Sequence, residues 1–227
     1  MNRHAFSDAE RAAVYRVIVE RRDVRADFVA DPVPQDVLVR VLGAAHSAPS
    51  VGLSQPWRFV VVRESATRER VHAVFLAANE TAARAYSERE ATAYRRMRLA
   101  GILDAPIGIC VLSDDEPERG AGLGRRTMPE TARYSTVCAI ENLWLAARAE
   151  GLGVGWVSIV DPVALRAALA VPDELALVAY LCVGYVERFA TQPDLERDGW
   201  QARAPLEAVV SYERFLPSTL FEECDRK

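Results

Sequence analysis

The sequence predicts an α+β fold, a sheet of about four or five strands enclosed by helices. Three observations predict it. Short β-branched and aromatic runs recur at Trp57–Val62, Ile107–Leu112, Gly153–Val160 and Leu175–Gly184. Longer stretches between them carry helical periodicity or helix-favouring composition. Thr131–Glu150, the most apolar helical stretch, should be central and buried.

Taken in order, Ser7-Asp8-Ala9-Glu10 matches a capping box and starts the first helix. Val14, Val17 and Ile18 give that helix an apolar stripe, and it should fray near Arg22-Asp23. A second helix begins near Pro34, buries Val37, Leu38, Val41, Leu42 and Ala45, and ends at Pro49. After the first strand, Thr67 to about Gly101 reads as two or three helical pieces. Ser113 to about Arg126 follows the second strand, with Gly120, Gly122 and Gly124 among charges, and reads as a loop. Thr131–Glu150 is the most apolar helix; Val137, Ile140, Leu143, Trp144 and Ala147 cover most of its circumference, so it should be central. Gly151 stops it. Asp161-Pro162 opens another helix as N-cap and first-turn proline. Leu175–Gly184 is apolar throughout, hence buried on both faces. From residue 185 to 227 periodicity is weak, and an arm packing on a partner subunit is the expectation. The whole chain, 1–227, is read as one domain carrying that arm.

The 227 residues carry a net charge of −4 and a pI near 5.5. There is no broad basic field for nucleic acid and no polybasic stretch for an anionic membrane, so any anion site must be local. No apolar run approaches a membrane span, and the first six residues lack the apolar segment of a signal peptide. A soluble cytoplasmic protein is expected. Cys110, Cys138, Cys182 and Cys224 form no C-x-x-C pair, and His4, His46 and His72 show no metal-ligand spacing.

Two segments carry candidate chemistry. Arg21-Arg22-Asp23-Val24-Arg25 groups three guanidinium groups around a carboxylate where the first helix should end. Cations in a last turn are favoured by the helix dipole and can be mere surface. A terminal phosphate, however, wants two or three charge-assisted donors, which arginine supplies best. Asp23 would balance and order the arginines. The second segment, Ala48–Trp57, holds two prolines and a glycine whose irregular backbone could bond a flat polar ring; a plain helix–strand connector is the alternative. Gly151-Leu152-Gly153-Val154-Gly155-Trp156-Val157-Ser158 looks like a dinucleotide fingerprint but has the wrong context, following a helix and opening a strand. Its glycines would instead let a backbone come close to something, or to another chain. His46, near the end of the second helix, reads as structural.

In this order the segments resemble the flavin-dependent nitroreductase family from about Tyr15 to Val210: R-R-x-x-R, then A-P-S-x-x-x-S-Q-P-W, then a long apolar helix into G-L-G-x-G-W. Within it, Arg21–Arg25, Ala48–Gly52, Tyr134–Ala139, Asn142–Gly151 and Gly155–Ser158 are most similar to the branch that consumes reduced FMN. Where ordinary members carry an asparagine two places before the glutamine, this chain has Leu53.

The resemblance implies a mostly antiparallel sheet in an intertwined homodimer with flavin at the interface. It implies FMN phosphate held by Arg21, Arg22 and Arg25 with help from Arg203. It places the flavin against Asp23, Val24, Pro49, Ser50, Gly52, Leu53, Gly155, Trp156, Val157 and Ser158. Asp23 would transfer a proton at the ribityl carbon next to the ring, and Ser158 would keep a hydroxyl close to the flavin. The implied reaction is oxygen-dependent fragmentation of reduced FMN, delivered by a separate flavin reductase, to 5,6-dimethylbenzimidazole and erythrose 4-phosphate. That product is the lower ligand of cobalamin. The alternatives are an FMN-dependent NAD(P)H nitroreductase, a flavin-storage module, and an α+β domain whose arginines are surface only.

Overall fold

The computed structural model describes residues 4–215; residues 1–3 and 216–227, with Cys224 and the end of the expected arm, lie outside the described residues. These residues form two compact units, divided between Phe189 and Ala190.

In the first unit, helix α1 (Asp8–Glu20) starts at the expected capping box: Ser7 Oγ accepts from the Glu10 N–H, and the Glu10 carboxylate accepts from the Ser7 N–H. Helix α2 (Gln35–His46) begins directly after Pro34. Strand β1 (Trp57–Val62) leads into helices α3 (Ser65–Ala83) and α4 (Glu88–Arg96). Strand β2 (Ile107–Asp114) runs two residues beyond expectation, and residues 115–130 are turns. Helix α5 (Thr131–Ala149), strand β3 (Leu152–Val157), helix α6 (Pro162–Ala168) and strand β4 (Leu175–Tyr185) complete the unit. Asp161 Oδ1 caps α6 by accepting from the Ala164 N–H.

The four strands form one antiparallel sheet in the order β1-β2-β4-β3. Its two faces bury alternate residues, as the period of two requires. Ile107, Ile109, Val111, Ala179, Leu181 and Val183 face one cluster, shared with Val37, Leu38 and Val41 of α2 and Ile140 and Leu143 of α5. Cys110, Leu112, Tyr180 and Cys182 face the other, with Val71 and Phe75 of α3 and Leu165 of α6. Helices therefore cover both faces, and the central strands are apolar over Ile107–Leu112 and Leu175–Gly184 because neither side meets water there.

Burial departs from expectation in two helices. In α1 the apolar stripe finds no cover: Val14 and Ile18 are exposed and Val17 only half-buried. In α5 four of the five named residues are buried, but Val137 is 42 % exposed, beside exposed Tyr134 and Cys138. Among the described residues no helix is long and apolar enough to cross a membrane.

The second unit holds one short helix, α7 (Asp194–Arg197), and a 3-10 turn at Leu206–Ala208. The expected start of the arm at 185 falls earlier than the division. Residues 185–187 belong to the first unit: the Val29 N–H donates to the Tyr185 carbonyl and the Glu187 N–H to the Asp27 carbonyl.

Candidate functional site

Helix α1 ends at Glu20, and the arginine segment leaves it along the free edge of β3. Asp23 makes a parallel bridge to Val154, and the Val24 N–H donates to the Val154 carbonyl at 2.9 Å. The glycines of β3 permit this approach. A Cβ on Gly155 would fall on the Val24 carbonyl oxygen, and one on Gly153 would meet the Val24 side chain at 3.0 Å. The G-L-G-V-G run thus admits a neighbouring backbone, as its context suggested.

The Asp23 carboxylate is held at both oxygens. Oδ1 accepts from the Trp156 N–H at 2.9 Å, and Oδ2 accepts from Arg25 Nε at 2.7 Å. Both side chains are mostly buried, at 28 % and 20 % exposed, so the pair is partly shielded from solvent screening. Arg22 turns its guanidinium back on the helix, donating to the Val19 and Arg21 carbonyls at 2.7 Å, and so caps the end of α1. Arg21 lies over the Trp144 ring, its Cζ 4.9 Å from the centroid, with Nε 3.6 Å from the Glu141 carboxylate. That Nε is buried and makes no hydrogen bond among the described residues.

The second segment forms a separate wall. Val51–Leu53 is a 3-10 turn whose Val51 N–H donates to Ser135 Oγ on α5 at 3.0 Å; Ser135 in turn donates to the Thr131 carbonyl. The Gln55 N–H donates to Ser50 Oγ. Three residues here have left-handed backbone: Gly52, Leu53 and Gln55, with φ of 57°, 53° and 48°. Gly52 is required, since its positive φ coincides with carbonyls of Gly120 and Leu123 placed 3.0 Å from where a Cβ would sit. Leu53 adopts such a φ at a cost of roughly 1–2 kcal/mol and leaves its side chain 68 % exposed. Pro49 is exposed and Ser50 half-buried.

These bonds tie 21–25 to β3 and α5, and 49–55 to α5; none of them runs between the two segments. Trp156 is half-buried and Val157 buried, while Ser158 is exposed just past the end of β3, two residues from the N–H that holds Asp23. Arg203 is an exposed residue of the second unit. His46 accepts from Trp57 Nε1 at 3.2 Å and pins α2 to β1, a structural bond. The 120–124 glycine run forms turns against Gly52.

Sequence reasoning missed the support beneath the arginines. Glu141, Trp144 and Arg148 project from α5 toward residues 20–22; Trp144 Nε1 donates to the Arg22 carbonyl, and Arg148 Nη2 donates to the Glu20 carboxylate at 2.8 Å. The available signal was polar and aromatic residues three and four apart on an otherwise apolar helix.

The nitroreductase family model matches residues 18–185. The chain belongs to the nitroreductase family. The match begins within α1 and ends with β4, so it takes in the arginine segment, the 49–55 turn and the glycine-rich strand. Among curated relatives in this family, the 5,6-dimethylbenzimidazole synthase of Rhodospirillum rubrum is 50 % identical, over 82 % of this chain and 87 % of that protein. A protein of the same name from Rhodobacter capsulatus is 43 % identical, over 89 % of this chain and 97 % of its own length. Among solved structures, iodotyrosine deiodinase bound to FMN and 3-iodo-L-tyrosine superposes with a TM-score of 0.72 at 24 % identity, covering 89 % of this chain and all of that one. A BluB-like flavoprotein from Clostridium difficile 630 superposes with a TM-score of 0.67 at 22 % identity, over 88 % of this chain and 99 % of that one. These two structures share the nitroreductase fold seen here.

Proposed function

We propose that the protein catalyses the oxygen-dependent fragmentation of reduced FMN to 5,6-dimethylbenzimidazole and erythrose 4-phosphate, the former serving as the lower ligand of cobalamin. Two relatives of that name, at 50 % and 43 % identity over most of both chains, support the reading. The observation that carries it is the Asp23 carboxylate, fixed at one oxygen by the Trp156 N–H and at the other by Arg25.

The residues present fit FMN. Arg21 Nε is a buried donor without a hydrogen-bond acceptor, which a phosphate oxygen would supply, and Arg25 lies on the same segment. Bound reduced FMN supplies the electrons that O₂ accepts and the carbon skeletons of both products. Arg21 and Arg25 anchor its ester end, and Arg22 holds the helix terminus. Asp23 keeps lone pairs beyond its two hydrogen bonds, so either oxygen can take a proton from the ribityl carbon next to the ring. Ser158, exposed at the end of β3, offers a hydroxyl to the ring side.

The wall at Pro49–Leu53 comes from a second copy of the chain, so that two copies enclose each flavin. Exposed apolar side chains on α1 and α5 (Val14, Tyr15, Ile18, Val19, Tyr134 and Val137) favour such a homodimer, which also gives the C-terminal arm a partner surface. Reduced FMN comes from a separate flavin reductase.

The test is aerobic incubation of the purified protein with chemically reduced FMN, followed by chromatography. One 5,6-dimethylbenzimidazole should appear for each flavin lost. Quantitative recovery of oxidised FMN would refute the proposal.

A further inference from the structure

We infer that Trp144 is a positioning residue for the arginine cradle, acting with Glu141 as a platform on α5 that aims Arg21 at the flavin phosphate. The inference rests on the FMN reading above. It starts from the way the cradle is built. Residues 21–25 are not helical, and a bare strand of chain carrying three guanidinium groups would let them repel one another and spread into solvent.

The structure counters this from one side of α5. Residues 141, 144 and 148, three and four apart, share a helix face. Trp144, 8 % exposed, makes three contacts with the site at once. Its Nε1–H donates to the Arg22 carbonyl at 3.2 Å, its ring supports the Arg21 guanidinium, and it lies 6.4 Å from the ring of Trp156, whose backbone N–H holds Asp23. Glu141, on the same helix face, draws Arg21 Nε at 3.6 Å. Arg148 anchors the preceding residue through Glu20, and its Cζ lies 4.0 Å from the Phe189 ring centroid, which ties the base of the platform to the chain four residues past β4.

The arrangement has a chemical consequence. A guanidinium lying over an indole ring is held there without consuming its N–H donors. Arg21 is thereby ordered before ligand arrives, and the entropy of ordering a long side chain is not charged against binding. Glu141 is 49 % exposed and its distance to Arg21 is long, so it orients the cation without sequestering it. Trp144 touches neither substrate nor reacting atoms in this scheme; it acts through Arg21 and the Arg22 backbone.

A platform of this kind should matter only for a ligand that carries the phosphate. The experiment is calorimetric titration of oxidised FMN and of riboflavin into the full-length protein and three variants, with melting curves for each. Trp144→Leu removes both the ring and the donor. It should weaken FMN binding by about ten- to hundredfold, the range for losing one hydrogen bond to a charged group. Riboflavin binding should stay within about twofold. Trp144→Phe keeps a ring and loses the donor, and should fall between wild type and Trp144→Leu. Glu141→Gln, at an exposed site that should not perturb folding, should weaken FMN binding a few-fold and leave riboflavin unchanged. If Trp144→Leu does not fold, Trp144→Phe and Glu141→Gln decide the matter by the same ratio. Variants that bind FMN as wild type does, or that lose FMN and riboflavin in equal proportion, would overturn the inference. A wild-type protein that binds riboflavin as tightly as FMN would instead overturn the phosphate cradle itself.

Discussion

The two walls of the candidate site are ordered by opposite means. The arginine segment is held by bonds: Asp23 and Val24 pair with β3, and Glu141, Trp144 and Arg148 grip it from α5. The 49–55 turn is bonded to Ser135, yet it contains three left-handed residues, two of which are not glycine. The first wall is thus fixed by its neighbours before any ligand arrives, as the proposed anion seat requires. The second stores conformational strain and presents Leu53 outward, a state that persists only when the surroundings over-determine it. The two segments proposed for charge recognition and ring handling therefore differ in mechanical character.

The largest expected effect that sharpens this contrast is at Asp23. Asp23→Asn preserves an acceptor for the Trp156 N–H but removes the base. Formation of 5,6-dimethylbenzimidazole from reduced FMN should fall by about 10²- to 10⁴-fold while the protein still binds FMN. Unchanged product formation would reduce Asp23 to a brace for Arg25. Next comes Gly155→Ala, which breaks the bonded wall at its backbone. The new methyl group collides with the Val24 carbonyl, so 23–24 must leave β3. Chemical denaturation should show a loss of about 1–3 kcal/mol, and FMN affinity should fall with it.

On the other wall, Ser135→Ala leaves the Val51 N–H without its acceptor. A loss of about 1–3 kcal/mol is expected for a buried group, nearer the lower end because Val51 is only half-buried. Equilibrium unfolding measures it, and FMN binding through the arginines should be little altered. The smallest effect has the opposite sign. Leu53→Asn relieves a left-handed leucine, since asparagine tolerates that region. Stability should rise by about 1 kcal/mol, or about 2–4 °C in melting temperature, with product formation unchanged or reduced. A variant less stable than wild type would show that the Leu53 side chain, not the backbone, dominates at this position.

Much of this architecture was legible because its causes are local. The Ser7–Glu10 capping box, the Asp161-Pro162 helix start and the period of the two central strands each declare themselves within a few residues. The arginine cluster and the permissive glycines were visible too, although not that one packs on the other. The roles of Trp144 and Glu141 were hidden because they depend on a partner more than a hundred residues away, while the local pattern assigned Trp144 simply to the core. The stripe of α1 is visible as apolar residues in the sequence, but nothing among the described residues covers Val14 and Ile18. Leu53 stood out as a change of side chain; its backbone strain could not be seen without the turn built around Gly52.

The proposed function depends most on residues 21–25 seating the phosphate of FMN. A crystal structure of the protein with FMN bound addresses that directly. Phosphate oxygens within about 3 Å of guanidinium nitrogens of Arg21 and Arg25 are the predicted result. An ester tail lying away from residues 21–25, with those guanidinium groups unmoved, would contradict it.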